Sequence, residues 1–134
     1  MAKATFDEPL SETEPLARFL YVWKGHFRVD PPEPTWRAFL PRKGTREVSV
    51  FRTIGFMEAE VWNLAAIHVK SNPKARAVVT PQGVVDSGLE VNPDNIPPRH
   101  ANIVGWPAGK DDQMSHAVEL AAHGALVLGP GSAS

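Results

Sequence analysis

The chain has 134 residues, no cysteine and a formal net charge of −1. Its length favours a single domain with one core, and the lack of cysteine excludes disulfides and cysteine-based zinc or iron–sulfur sites. No segment approaches the roughly 20 apolar residues of a membrane helix, and the acidic beginning of the chain has no signal-like apolar segment, so we expect a cytoplasmic protein.

The basic residues are unevenly distributed. Of the 14 Lys and Arg residues, eight lie between residues 18 and 52, where there are only three acidic residues. Residues 1–14 are polar and acidic. We therefore expect a flexible acidic tail over 1–14, a single domain over 15–128 and a disordered tail over 129–134.

Hydrophobic periodicity predicts the elements of this domain in chain order. Branched and aromatic residues predict strands at 18–22, 47–52, 75–79, 89–91, 100–106 and 125–128. The proline-rich segment 30–34 is expected to be a rigid, irregular connector. Helices are expected from Gly55 to near Lys70, across 81–87, and from Asp111 or Asp112 to Gly124. These elements predict an α+β fold: a mixed β-sheet of about five or six short strands, with two main helices and one short helix packed on one face.

Capping and stripe patterns add detail to these helices. Gly55 with Glu58 suggests the N-cap of the first helix, and Thr80-Pro81 with Gly88 suggests both ends of the short one. In the last helix the expected apolar stripe consists of Met114, Ala117, Val118 and Ala121.

Two histidines, His26 and His100, lie in alternating, strand-like segments that also contain cationic or amide side chains. Alternation places His26 with Arg28, and His100 with Asn102, on common strand faces, while Arg99 points away from His100. Imidazole titrates near neutrality, so two rings beside a phosphodiester can act as acid and base without a metal. If the two strands are neighbours, they form a cationic pocket suited to phosphate chemistry. Otherwise His26 is a strand-end surface residue and His100 a half-buried, hydrogen-bonded one.

This arrangement resembles that of the two-histidine phosphoesterases, which have threonine or serine two positions after each histidine. Here Arg28 and Asn102 occupy those positions, so no family membership is inferred. The enzyme hypothesis is a small metal-independent phosphodiesterase or ribonuclease with His26 and His100 as catalytic residues, no cofactor and a nucleotide or RNA as the anionic ligand. Its substrate-binding candidates are Arg28, Arg52, Arg99, Asn102, Trp23 and Trp36.

The alternative is a non-catalytic module that binds a protein or nucleic-acid partner through segment 18–52. Trp23 and Trp36 flank basic residues there and could stack on bases. In that case binding should depend on Arg42, Lys43 and Arg46 rather than on either histidine.

The remaining histidines are given structural roles. His68 ends the apolar face of the first helix, which indicates a helix-end or core position. His116, Glu119 and His123 lie along the last helix, but the two histidines are roughly 10 Å apart along its axis, too far to share one metal. We expect a solvated face there and no metal site. The sequence also lacks the phosphate-loop, GxSxG and HExxH motifs.

Overall fold

A computed structural model describes Phe6, residues 8–69 and residues 72–129. The strands are β1 (Leu16–Leu20), β2 (Phe27–Val29), β3 (Pro32–Pro34), β4 (Val48–Arg52), β5 (Ala75–Val79), β6 (Glu90–Pro93), β7 (His100–Val104) and β8 (Ala125–Leu128). The helices are α1 (Glu58–His68), α2 (Pro81–Asp86) and α3 (Lys110–Ala122), with short 3-10 helices at Val22–Lys24 and Trp36–Phe39.

Six strands form the main sheet in the order β6-β7-β4-β1-β5-β8, and β2 pairs with β3 in a separate hairpin. The predicted α+β class, with about six sheet strands and helices packed on the sheet, is confirmed. Every pairing in the described sheet is antiparallel. In the described residues no helix has the length and hydropathy needed to span a bilayer.

The helices divide between the two faces of the sheet. The sequence had predicted that they pack on one face. Leu16 and Leu20 of β1 belong to a core cluster that includes Ala117 and Leu120 of α3. The alternate residues of β1, Ala17 and Phe19, belong to a second cluster with α1. Because successive strand residues face opposite ways, α1 and α3 cover opposite faces.

Several local predictions need correction. The proline-rich segment was predicted to be irregular, but its residues 32–34 form the strand β3. Proline is tolerated there because β3 pairs along one edge, with β2 of the same hairpin. The N-cap of α1 is Met57 rather than Gly55, and Glu60 Oε1 accepts a hydrogen bond from the Met57 amide at 2.8 Å. The N-cap of α3 is Gly109 rather than an aspartate. Lys70 lies outside the described residues.

The apolar stripe of α3 also differs from the prediction. Ala117 and Leu120 are buried, whereas Met114 and Val118 are 38% and 50% exposed. The predicted ends of α2 are confirmed, since Thr80 Oγ1 accepts from the Gly83 amide at 3.1 Å and Gly88 has a φ of 80°.

The end of the predicted acidic tail packs against the domain. Glu14 is 2% exposed and forms an ion pair with Arg52 of β4, with Nε and Oε1 2.7 Å apart. A second nitrogen of Arg52 donates to Oε2 at 3.0 Å and to the Pro9 carbonyl at 3.1 Å. Glu14 is therefore part of the folded domain.

Candidate functional site

A cavity of about 340 Å³ opens beside β1 and β4, and we call it the His100 cavity. Four of its lining side chains are arginines or histidines, and of the described residues that line it none is acidic. Its walls are Arg18, Phe19, Tyr21, Arg42, Ser49, Phe51, His68, Val69, Pro97 and His100. It is thus a cationic cavity with aromatic walls.

The separation of β1 from β4 creates the space for Arg18. The two strands pair at Leu16 with Arg52 and at Ala17 with Phe51. Beyond these pairs, Arg18 Nη1 donates to the Ser49 carbonyl at 3.1 Å and Nε donates to the Ala38 carbonyl at 3.0 Å. The guanidinium therefore donates to a β4 carbonyl beyond the β1–β4 pairs and links it to the 3-10 helix that contains Ala38.

Within the described part of the chain, Arg18 is hydrogen-bonded to carbonyl dipoles and to no carboxylate. Burial lowers the pKa of Arg18 to about 10; the Tyr21 hydroxyl acts in the opposite direction, and the nearby charge of Arg42 lowers the pKa further. A cation in a partly dehydrated setting is stabilised by an anion of opposite charge. The electrostatic environment of Arg18 therefore favours an anionic ligand.

Phe51 brings the two histidines of the cavity together. His100 is opposite Phe51 in the β4–β7 register, and its ring lies 5.3 Å from the Phe51 ring at 75°. His68, the last residue of α1, stacks on Phe51 at 5.9 Å and 22°. The Phe51 ring of β4 thus contacts one imidazole from β7 and one from the end of α1.

A carboxylate behind His100 fixes that imidazole. Asp94 Oδ1 lies 2.7 Å from His100 Nδ1, and Asn102 donates to Asp94 Oδ2 at 3.1 Å. Burial acts to raise the pKa of Asp94, but hydrogen bonds from His100, the Ile96 amide and Asn102 outweigh it and hold the pKa below its ordinary value. An ionised carboxylate can only accept a hydrogen bond, so the facing Nδ1 must carry the hydrogen that it donates. That assigns the Nδ1 proton and leaves Nε2 without a hydrogen-bond partner among the described residues.

His26 differs from His100 in that it is enclosed and its Nδ1 is a hydrogen-bond acceptor. It is 5% exposed, and its Nδ1 accepts a hydrogen bond from the Tyr21 amide at 3.2 Å. Burial lowers the pKa of His26 to about 4, and the charges of Arg18 and Lys24 act in the same direction. His26 is therefore a neutral interior acceptor, and it is not among the described residues that line the His100 cavity.

The sequence-predicted binding residues are spread over several places. Arg28 pairs with Glu33 on the exposed face of the hairpin at 3.3 Å. Trp23 is 71% exposed, with the Lys24 ammonium 4.9 Å from its ring centre. Trp36 lines a different cavity.

The other three predicted residues support the chain around the site. Arg52 is bound to Glu14, as described above. Arg99 Nη1 donates to the carbonyls of Arg52 and Ile54 at 3.0 and 2.8 Å, so it connects β4 to the following loop. Asn102 acts through Asp94.

Sequence reasoning gave His68 a helix-end or core role and did not single out Arg18 or Asp94. The loop from Asp94 to His100 contained a signal, because aspartate in a turn-forming segment just before a strand histidine can reach that ring. Nothing in the sequence could show that His68 meets Phe51, since this depends on which face of the sheet α1 covers.

His116 also departs from the expected solvated face of α3. Its Nδ1 lies 2.6 Å from the Ser87 carbonyl, and its ring meets Trp106 edge-on at 6.5 Å. It therefore connects α3 to the end of α2.

Comparison with protein-family models, with curated proteins and with solved structures finds no match for this chain.

Proposed function

We propose that the protein binds a phosphate-bearing ligand in the His100 cavity. The observation that carries this proposal is the set of Arg18, Arg42, His68 and His100 around one cavity whose described lining contains no carboxylate. Arginine supplies forked donors that match phosphate oxygens, and imidazole supplies a further N–H donor.

Charge supports the same proposal. In the described residues the ion pairs of arginine join Arg28 to Glu33, Arg52 to Glu14 and Arg76 to Glu58. Arg18 and Arg42 take part in none of them. A phosphate in the cavity would compensate both.

The phosphodiesterase or ribonuclease hypothesis is carried here by His100 and His68 instead of His26. In this mechanism His100 Nε2 takes the proton of a ribose hydroxyl, whose oxygen attacks the neighbouring phosphorus. The bond from phosphorus to the leaving oxygen breaks, that oxygen takes a proton from His68, and a cyclic phosphate forms. Arg18 and Arg42 stabilise the charge that develops on the phosphoryl oxygens.

Calorimetric titration with inorganic pyrophosphate tests the binding step. We expect saturable binding that weakens with salt and that Arg42→Met reduces by about tenfold, or about 1.4 kcal/mol. Arg28→Met is the matched control, because that arginine is exposed and already paired with Glu33. Equal affinity in the wild type and in Arg42→Met would overturn the proposal.

Turnover of an RNA dinucleotide tests the catalytic step separately. His100→Ala should abolish cleavage, while His26→Asn, which retains an acceptor for the Tyr21 amide, should leave it intact. Binding without turnover in the wild type would retain the anion site and reject the enzyme.

The alternative, a non-catalytic interaction module, uses the basic segment 18–52 and predicts no role for the histidines. It is favoured if RNA or a protein partner binds equally well to the wild type and to the His68→Ala/His100→Ala double variant, with a loss on charge reversal at Arg42, Lys43 and Arg46.

A further inference from the structure

A second and larger cavity, of about 750 Å³, lies between the loop 40–46 and the start of α3. Its apolar lining comes from Trp36, Leu40, Pro41, Ala108 and Met114; we call it the Trp36 cavity. Ligand sites for small molecules have volumes of roughly 300 to 1,000 Å³ and mainly apolar walls. The Trp36 cavity meets both criteria.

Cationic groups surround this apolar lining. They are Arg42, Lys43, Arg46 and Lys110, and the one carboxylate in the described lining is Asp111. None of the four cations takes part in an ion pair among the described residues. Leu40 and Met114 are 37% and 38% exposed, so apolar surface and unpaired positive charge meet solvent together.

Trp36 gives the cavity an aromatic wall of fixed orientation. The Arg37 guanidinium carbon lies 4.5 Å from the centre of the Trp36 ring. Trp36 also packs against the core cluster that contains α3. A tryptophan that is anchored in this way offers a rigid stacking surface at low entropic cost.

We propose that the Trp36 cavity binds an aromatic anion, a small molecule with a ring system that packs on Trp36 and Met114 and an acidic group that meets Lys43 and Arg46. Charge complementarity favours this occupant over a neutral apolar one. The proposal goes beyond phosphate binding in the His100 cavity and does not depend on it, although Arg42 lines both cavities.

The probe is anilinonaphthalene sulfonate, a fluorescent aromatic anion, and the matched probe is phenylnaphthylamine, which has a similar ring system without the sulfonate. We expect saturable binding of the sulfonate at one site per chain and binding of the neutral probe that is weaker by about tenfold. Equal affinity for both probes would overturn the proposal, because it would show only an apolar patch.

Three variants locate the site. Lys43→Glu/Arg46→Glu should weaken sulfonate binding by about tenfold, and Trp36→Leu should weaken it severalfold. Arg28→Glu, on the exposed hairpin, should have no effect. If Trp36→Leu does not fold, the double charge reversal on the loop still decides, and unchanged binding in it would contradict the proposal.

Two further outcomes separate the alternatives. Because Lys43 and Arg46 do not line the His100 cavity, their reversal should leave pyrophosphate affinity within about twofold at high salt, where exposed charges are screened. If the wild type binds the sulfonate but not pyrophosphate, the phosphate site in the His100 cavity is rejected and the Trp36 cavity is retained. Displacement of the sulfonate by polyglutamate at lower concentration than by naphthalene sulfonate would reject the small-molecule occupant in favour of an acidic peptide.

Discussion

Arg52 and Arg18 lie on the neighbouring strands β4 and β1 and have different partners. Arg52 meets both carboxylate oxygens of Glu14 in the interior. Arg18 donates to two carbonyl oxygens, has no carboxylate partner among the described residues and faces the His100 cavity. The two histidines differ in the same way, since His26 is neutral and enclosed while His100 is held by Asp94 at a cavity wall. In the described residues the carboxylate of Glu14 thus compensates buried Arg52, whereas the arginines of the His100 cavity have no carboxylate partner.

The largest effect is expected at the compensated arginine. Glu14→Gln leaves Arg52 buried without its counter-charge, which should reduce the free energy of unfolding by about 3 to 5 kcal/mol. Urea denaturation at neutral pH measures this loss. Joint replacement by Glu14→Leu and Arg52→Met should recover most of it, because a buried pair can be exchanged for apolar packing at little cost. A loss below about 1 kcal/mol would show that water reaches the pair.

His26 should make stability fall in mild acid. Its pKa is about 4 when folded and 6.5 in the reference state, so between these values the unfolded chain binds more protons. Stability is therefore fully present above pH 6.5 and falls as pH decreases towards 4, by up to about 3 kcal/mol. His26→Asn should remove this fall when unfolding is followed across the window, and His100→Gln should retain it. An unchanged pH profile in His26→Asn would contradict the enclosed position.

Arg18→Met should cost less than Glu14→Gln. The variant loses two charge-assisted hydrogen bonds to carbonyls, but it also removes the cost of burying a cation without a counter-charge. We therefore expect the free energy of unfolding to decrease by about 1 kcal/mol. The same variant should lose pyrophosphate binding. Urea denaturation with and without pyrophosphate measures both effects. A loss as large as that of Glu14→Gln, with ligand stabilisation intact, would assign Arg18 a purely structural role.

The smallest effect concerns an ion pair whose arginine is buried but whose carboxylate is largely exposed. Arg76 donates to both oxygens of Glu58 at 2.7 and 2.9 Å, and this bond is the main reason that the pKa of Glu58 falls to about 2, against burial and with help from Trp62. Its contribution is present above pH 4.5 and is lost as pH falls through about 2. Because the Glu58 side chain is 57% exposed, Glu58→Gln should cost less than about 1 kcal/mol in thermal unfolding at pH 7. A larger loss would indicate that the pair anchors α1 to the sheet.

The sequence predicted the local elements better than their arrangement. The alternation in 47–52, the strand-like composition of 75–79 and the cap at Thr80 depend on neighbouring residues, and each agrees with the structure. The N-cap of α1 was misplaced, because a methionine has no capping preference and the cap depends on Glu60.

The candidate site could be predicted only in part. His100 was identified, and its neighbour Asn102 was found on the same strand face. Which histidine joins His100 depends on the strand order and on the face that α1 covers, and neither is encoded in local periodicity. The sequence favoured His26, which lies in a strand-like segment near Arg28, over His68 at a helix end. The packing of Phe51 and Tyr21 places His68 at the cavity and His26 outside it.

The most direct test of the account is an NMR titration of the imidazole groups with pyrophosphate. His68 and His100 should shift with one shared saturation curve, and His26 should remain unmoved, since it lies outside the cavity and stays neutral above about pH 4. Shifts at His26 equal to those at His100, or no saturable shift at His68 and His100, would contradict the account.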